Sequence, residues 1–316
     1  MATYSKFLRN FQISKFTIST YKLSFPCLIV VIDFKINING QKLKKNLTLF
    51  KKKMQLNYRT LGTGKPLIIL HGLYGCSDNW LTISKTFASN FQVILPDLRN
   101  HGQSPHSDVF NIPAMAQDLN ELINTLNLST VCIIGHSLGG KVAMEYVAKE
   151  QQKVEKIIVV DIAPRKYSKT EFEQHQNHLQ LINILKNIDL SLYQTRSQAL
   201  NDLLQLQNGE RIKNLMMKNL ATDNNGNLHW KINIKAIADN LADLLNNYQA
   251  DLSKVQTPIL FMRGQNSDYL TLEDFETIKK TIPNANVLEV PNASHWLQVD
   301  NPNFFIENAK KFLFSK

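Results

Sequence analysis

Gly135-His136-Ser137-Leu138-Gly139 constrains this chain more than any other run in it. An apolar segment, Val131-Cys132-Ile133-Ile134, precedes it, and the helical pattern Lys141-Val142-Ala143-Met144-Glu145-Tyr146 follows. Strand, sharp turn and helix must therefore succeed one another without a linker. A serine at that turn sits on strained backbone with its hydroxyl pushed outward. Its neighbours two positions away must be small, because a Cβ there would press on the adjoining strand or helix. The helix aims unpaired N–H groups and the positive end of its dipole at whatever the hydroxyl attacks. The bare five-residue pattern also fits a glycine-rich turn with a solvated serine. With both flanks in place it reads as a nucleophile elbow.

The chain has 316 residues, 43% of them hydrophobic, enough to bury a large core. Its formal charge of +10 resembles a nucleic-acid signal, but the charge is not spread. Residues 1–53 hold eleven of the 36 Lys and Arg and only one of the 26 acids, Asp33, so the remainder is neutral. A neutral body has no broad footprint for a phosphate backbone, which argues against a nucleic-acid partner. Cys27, Cys76 and Cys132 are odd in number and widely spaced. They make no disulfide framework and fit a reducing compartment. No Cys/His spacing suggests a metal.

Residues 1–53 differ from the rest. They show no clear periodicity and end in Lys51-Lys52-Lys53-Met54. The apolar run over 25–32 is too short to span a bilayer, which takes about 20 residues. A signal peptide would need a shorter leader and an Ala-x-Ala-like site. A transit peptide suits the lack of acids but not the single arginine, Arg9. The preferred reading begins translation at Met54, which falls just before the first strand-like segment, with the upstream residues an artefact of the chosen start. Under each reading the segment is a basic extension without order, transit-like or mis-started, and the folded domain runs over 54–316.

Along that domain, short apolar runs alternate with amphipathic stretches. Strands are expected at about 55–61, 66–70, 92–95, 131–134, 156–161, 258–263 and 286–290. Helices are expected at about 79–89, 113–126, 138–149, 272–281 and 303–314. This alternation predicts an α/β architecture, a mostly parallel central sheet flanked by helices. From about 164 to 250 the pattern is helical with no convincing strand. That block is expected as a helical lid, inserted after the sixth strand.

Functional groups of a parallel sheet collect at the strands' carboxyl ends. A serine hydroxyl needs a base, and His295, in the loop after the last strand, is the candidate that follows Ser137 in the chain order Ser, acid, His. Negative charge on a carbonyl oxygen would be met by the N–H groups of Leu138 and, from the turn His71-Gly72-Leu73, of Leu73. Three residues compete for the orienting position. Ser267 stands where a carboxylate is expected, Asp268 comes one residue late, and Asp161 ends the strand after the elbow helix. Asp161 is preferred, with Ser267 as a hydrogen-bond support. His71, His101, His106 and His136 read as turn and packing residues, with His71 and His136 also placed to line the site. His175, His178 and His229 fall in the insertion. Leu181, Ile182, Ile184, Leu185 and Trp230 suit lid packing better than an acyl pocket.

His71-Gly72-Leu73-Tyr74-Gly75, Asp78-Asn79-Trp80, Asp97-Leu98-Arg99-Asn100-His101-Gly102, Ser104-Pro105-His106-Ser107, the elbow with Gly140-Lys141, and Asp161-Ile162-Ala163-Pro164 together resemble the YbfF-type esterases of the α/β-hydrolase superfamily. The likeness runs from Met54 to the C-terminus, and the Asp-Leu-Arg-Asn-His-Gly block is its most specific part. It implies an α/β-hydrolase fold and hydrolysis of carboxylic esters or acyl thioesters through an acyl-serine, without cofactor or metal. Members can carry serine at the acid position, as Ser267 does. Asp268 directly after it is a departure that leaves the acid open. The expected partner is a small-molecule acyl ester or thioester, with no nucleic acid and no stable membrane span. The expected location is cytoplasmic, or mitochondrial if residues 1–53 are a transit peptide. The competing functions are a carbon–carbon bond hydrolase or lyase on the same scaffold and a non-catalytic binding protein. Oligomeric state is left open.

Overall fold

A computed structural model describes the backbone of residues 31–38, 41–48, 54–168, 173–206, 210–246, 248 and 250–315. The chain divides into two compact units, Met1–Lys53 and Met54–Lys316. In the first, β1 (Val31–Ile38) pairs antiparallel with β2 (Gln41–Thr48). The sequence reading expected no order there. Ile32, Phe34, Ile36 and Ile38 do alternate with polar residues, and Asn39-Gly40 is the dipeptide that two-residue hairpins favour.

The second unit is built on seven strands: β3 (Tyr58–Leu61), β4 (Lys65–Leu70), β5 (Phe91–Pro96), β6 (Val131–His136), β7 (Val154–Val160), β10 (Ile259–Gly264) and β11 (Ala285–Val290). Their order across the sheet is β11-β10-β7-β6-β4-β5-β3, and only the edge strand β3 runs antiparallel to its neighbour. The expected mostly parallel sheet is therefore present. The continuous apolar runs have a simple cause. Successive side chains of a strand point to opposite faces, and here both faces are covered. Ile68, Leu70, Ile133, Ile157, Val159 and Phe261 belong to one core. Their sequence neighbours Leu67, Ile69, Cys132, Ile158, Val160 and Met262 belong to the other. The first core is closed by α2 (Ile112–Thr125), α3 (Leu138–Glu150) and α8 (Leu272–Thr281). The second is closed by α1 (Leu81–Phe87) and α9 (Pro302–Phe314). Among the described residues no helix is long and apolar enough to cross a membrane.

Between β7 and β10 lie α4 (Glu173–Asn187), α5 (Arg196–Leu206), α6 (Glu210–Asn219) and α7 (Ile234–Asn246). The insertion follows the fifth strand of this sheet in chain order, not a sixth, because the chain supplies only five of the seven strands before it. It also contains a short antiparallel pair, β8 (Leu220–Thr222) with β9 (Leu228–Trp230). Three residues are too few to show a period of two, so this pair left no readable pattern. Leu181, Ile182 and Leu185 are buried in the same core as the sheet, and Trp230 packs on it half-buried. Packing accounts for these residues.

A buried ion pair stiffens the loop after β5. Arg99 Nε and Nη2 donate to Asp118 Oδ2 and Oδ1 at 2.5 and 2.6 Å, and Nη1 donates to the Val109 carbonyl. Removing one partner of such a pair leaves the other charge buried and unpaired. Asp118→Ala is therefore expected to cost about 3–5 kcal/mol of unfolding free energy, seen as a lower denaturant midpoint at unchanged slope.

Candidate active site

The chain visits β4, crosses to β5 on one side, then to β6 on the other. The carboxyl ends of β4 and β6 thus flank a point where the strand order reverses, the usual ligand position in such sheets. Ser137 directly follows β6. Its φ of 52° and ψ of −115° lie off the helical region, and it serves as the N-cap of α3. The backbone is held there because Ser137 N donates to the Val160 carbonyl of the neighbouring strand at 2.9 Å. The small neighbours are a steric requirement. A Cβ on Gly139 would lie 2.5 Å from the Leu70 carbonyl oxygen and 2.7 Å from that of His71. One on Gly72 would meet His136 Nδ1 at 2.9 Å and Ser137 Cβ at 3.3 Å. The turn after β4 is thereby pressed against the elbow.

Asp161 follows β7, one strand over. It too has positive φ, 52°, and it is fully buried. Its carboxylate collects donors from the next two strand ends. Gly264 N donates to Oδ1 at 2.9 Å, Ser267 Oγ donates to Oδ2, and His295 Nδ1 lies 2.7 Å from Oδ2. A carboxylate oxygen accepts, so Nδ1 is the ring nitrogen that donates in this bond and Nε2 is left free of it. Buried Asp161 is thus satisfied by hydrogen bonds, as a carboxylate removed from water must be. Ser137, Asp161, Ser267 and His295 follow β6, β7, β10 and β11, four adjacent strands. Asp268 is exposed. Its neighbour Ser267, at 6% exposure, is turned inward instead.

Contacts beyond the expected residues hold His295. The ring of Tyr269 stacks on its imidazole with centroids 3.8 Å apart, and His136 Nε2 lies 2.9 Å from its carbonyl oxygen. Tyr167 OH accepts from Ala163 N and donates to the Tyr269 carbonyl, tying the Asp161 turn to the Ser267 loop. On the other flank, Leu73 is half-buried and Leu138 opens α3. The amides after Leu73 are committed: Tyr74 N donates to His101 Nε2 at 3.3 Å and Gly75 N to the Gly72 carbonyl at 2.9 Å.

A family described as the alpha/beta hydrolase fold matches residues 65–302. The chain belongs to the α/β-hydrolase family. This hydrolase is 34% identical to the sn-1-specific diacylglycerol lipase ABHD11 of Danio rerio, over 80% of its own chain and 79% of that protein. It is 28% identical to esterase YbfF of Escherichia coli, over 78% and 92%. Among solved structures, one described as a marine microorganism esterase superposes with a TM-score of 0.79 at 41% identity, covering 82% of this chain and all of that one.

The remaining histidines of the hydrolase divide by environment. His71 and His101 are buried beside the β4 turn. Leu98 N donates to His71 Nε2 at 2.9 Å, and Asp97 accepts from Ser77 N and Gln103 N. They are packing and turn residues of the Asp97–Gly102 block, as expected. His106 bonds the Lys231 carbonyl at the surface, and His229 is exposed. His178 is half-buried with Nε2 3.2 Å from Tyr269 OH. The side chain of His175 lies outside the described residues. Sequence reading also missed Lys141, whose buried ammonium donates to the carbonyls of Leu244 and Leu245 at the end of α7. Burial pushes it down to about 7. Only a cation in the first turn of the elbow helix, beside small and apolar neighbours, marked it.

Burial also holds His71 below the ordinary imidazole range and takes His101 and His136 down to about 3. As pH falls, the unfolded chain takes up protons at about 6.5 before these rings do. Their contribution to stability is therefore whole above about 6.5 and is lost as pH falls toward 3. The melting temperature is expected to drop across that window, and less steeply in His101→Gln. An identical slope in the variant would place the acid sensitivity elsewhere.

Proposed function

We propose that this protein is a carboxylic ester hydrolase that works through an acyl-serine, with acyl thioesters as a second substrate class. The observation that carries the reading is the hydrogen bond from His295 Nδ1 to buried Asp161, 2.7 Å long and one strand from the Ser137 elbow. That bond leaves His295 Nε2 as the base. As Ser137 Oγ attacks the acyl carbonyl, its proton passes to Nε2, and the N–H groups of Leu73 and Leu138 hold the oxyanion. The tetrahedral intermediate collapses, and His295 returns the proton to the departing alcohol or thiol. Water then attacks the acyl-serine, giving its proton to Nε2, and Ser137 recovers one as the acid leaves. Asp161 keeps the imidazole in this tautomer and offsets its transient charge, with Ser267 and Gly264 N holding the carboxylate. The named relatives, an esterase and a lipase, support ester substrates.

The insertion is proposed to cover the site. Its links to the strand-end loops, Asn219 Nδ2 to the Tyr74 carbonyl and Asn233 N to the Asn100 carbonyl, support that position. A cytoplasmic location remains the reading from cysteine usage. Hydrolysis of a panel of acyl esters and acyl thioesters, with diketones as the contrasting class, tests the reaction. Turnover of esters with stoichiometric fluorophosphonate labelling supports it, whereas diketone cleavage without ester turnover would overturn it.

A further inference from the structure

Tyr74 is pinned at both ends of its backbone. Its N–H donates to His101 Nε2 and its carbonyl accepts from Asn219 Nδ2 at 2.5 Å. Its φ of 61° is one that side-chain-bearing residues rarely adopt. The ring is 2% exposed, and its hydroxyl, wholly buried, has no hydrogen-bond partner among the described residues. A buried hydroxyl left unpaired costs free energy that a phenylalanine ring of the same shape would not. Its surroundings belong to the active site. The Tyr74 ring lies 5.6 Å from that of His178, whose Nε2 is 3.2 Å from Tyr269 OH, and the Tyr269 ring stacks on His295. Tyr74 also directly follows Leu73, the proposed oxyanion donor. A run of ring contacts with one hydrogen bond in it thus leads from the Tyr74 turn to His295.

We propose that the Tyr74 hydroxyl, with the Tyr269 hydroxyl and His178 beside it, forms a specificity subsite for an uncharged oxygen of the substrate, a hydroxyl or carbonyl a few bonds from the scissile ester. This rests on the ester-hydrolase reading above and adds a substrate class to it. The occupant accepts a hydrogen bond from a phenol that has no other partner among the described residues. Burial raises both phenols above the usual tyrosine range, so each stays a protonated donor. Neutral donors of this kind suit an uncharged acceptor better than a carboxylate, which would need a cation to offset its desolvation.

Two matched pairs of esters test this. On the acyl side, 4-nitrophenyl 3-hydroxybutyrate is compared with 4-nitrophenyl 3-methylbutyrate. On the alcohol side, 2-hydroxyethyl butyrate is compared with propyl butyrate. The wild type is expected to favour the hydroxylated member of one pair in kcat/KM, and that pair identifies the side. In Tyr74→Phe the ratio within the pair is expected to fall about ten- to hundredfold, the cost of a buried group losing its partner. Tyr269→Phe is expected to shift it the same way. The melting temperature of Tyr74→Phe should not fall, since the hydroxyl removed has no partner among the described residues. A ratio within twofold of wild type in both variants would overturn the subsite, and so would a fall in melting temperature with the ratio unmoved, the mark of a hydroxyl held by buried water. Wild type that turns over none of the four esters would instead overturn the ester-hydrolase reading, and the subsite with it.

Discussion

Ser137→Ala is expected to lower kcat for ester hydrolysis by about a millionfold and to abolish fluorophosphonate labelling. The substitution deletes the only atom proposed to attack. Everything that holds the elbow stays: the Ser137 N–H still meets the Val160 carbonyl, and Lys141 N still meets the carbonyl of residue 137. The positive φ strains alanine as it strains serine, since both carry a Cβ. The fold should therefore persist, with a melting temperature close to wild type. What activity remains would come from substrate positioning and the proposed oxyanion donors at Leu73 and Leu138, which need no nucleophile to act. Retention of activity within tenfold, in a folded variant, would remove Ser137 from the chemistry.

Asp161→Asn is expected to cost about ten-thousandfold in kcat, and Asp268→Asn almost nothing. The amide is the same shape as the carboxylate, so packing against Gly264 and Ser267 changes little. Its NH2 group, however, can donate to His295 Nδ1, and the imidazole proton then moves to Nε2. An Nε2 that already carries a proton cannot take one from serine. Asp268, one residue beyond Ser267, is exposed, whereas Asp161 is fully buried against His295. The pair of variants is measured on one ester at saturating concentration, with the fold of each checked by circular dichroism. Equal losses in the two, or the larger loss in Asp268→Asn, would reassign the acid.

Much of the fold was legible because its signals are local. A strand buried on both faces must be apolar throughout, and β4, β6, β7 and β10 announce themselves that way. The elbow is legible because backbone strain and close packing admit only small residues around Ser137. The β1–β2 pair was also within reach: the alternation and Asn39-Gly40 stand in the sequence, but a basic, acid-poor context drew attention away from them. The β8–β9 pair was not, because three-residue strands hold too little pattern to detect.

The site was legible only in part. The chain order of Ser137, Asp161 and His295 allows a triad, and the elbow's flanks single out the serine. Which of Asp161, Ser267 and Asp268 faces His295 depends on which strands lie side by side, and a one-residue offset reverses a side chain's direction. The same holds for Tyr269 on His295, for Lys141 under α7 and for the buried hydroxyl of Tyr74. The sequence by itself determined the alternating architecture, the elbow and the small set of groups able to do chemistry, since each follows from short-range sterics and burial. Tertiary structure alone decided which of those groups meet. Neighbouring strand ends bring together residues more than a hundred positions apart, and no local preference encodes that distance.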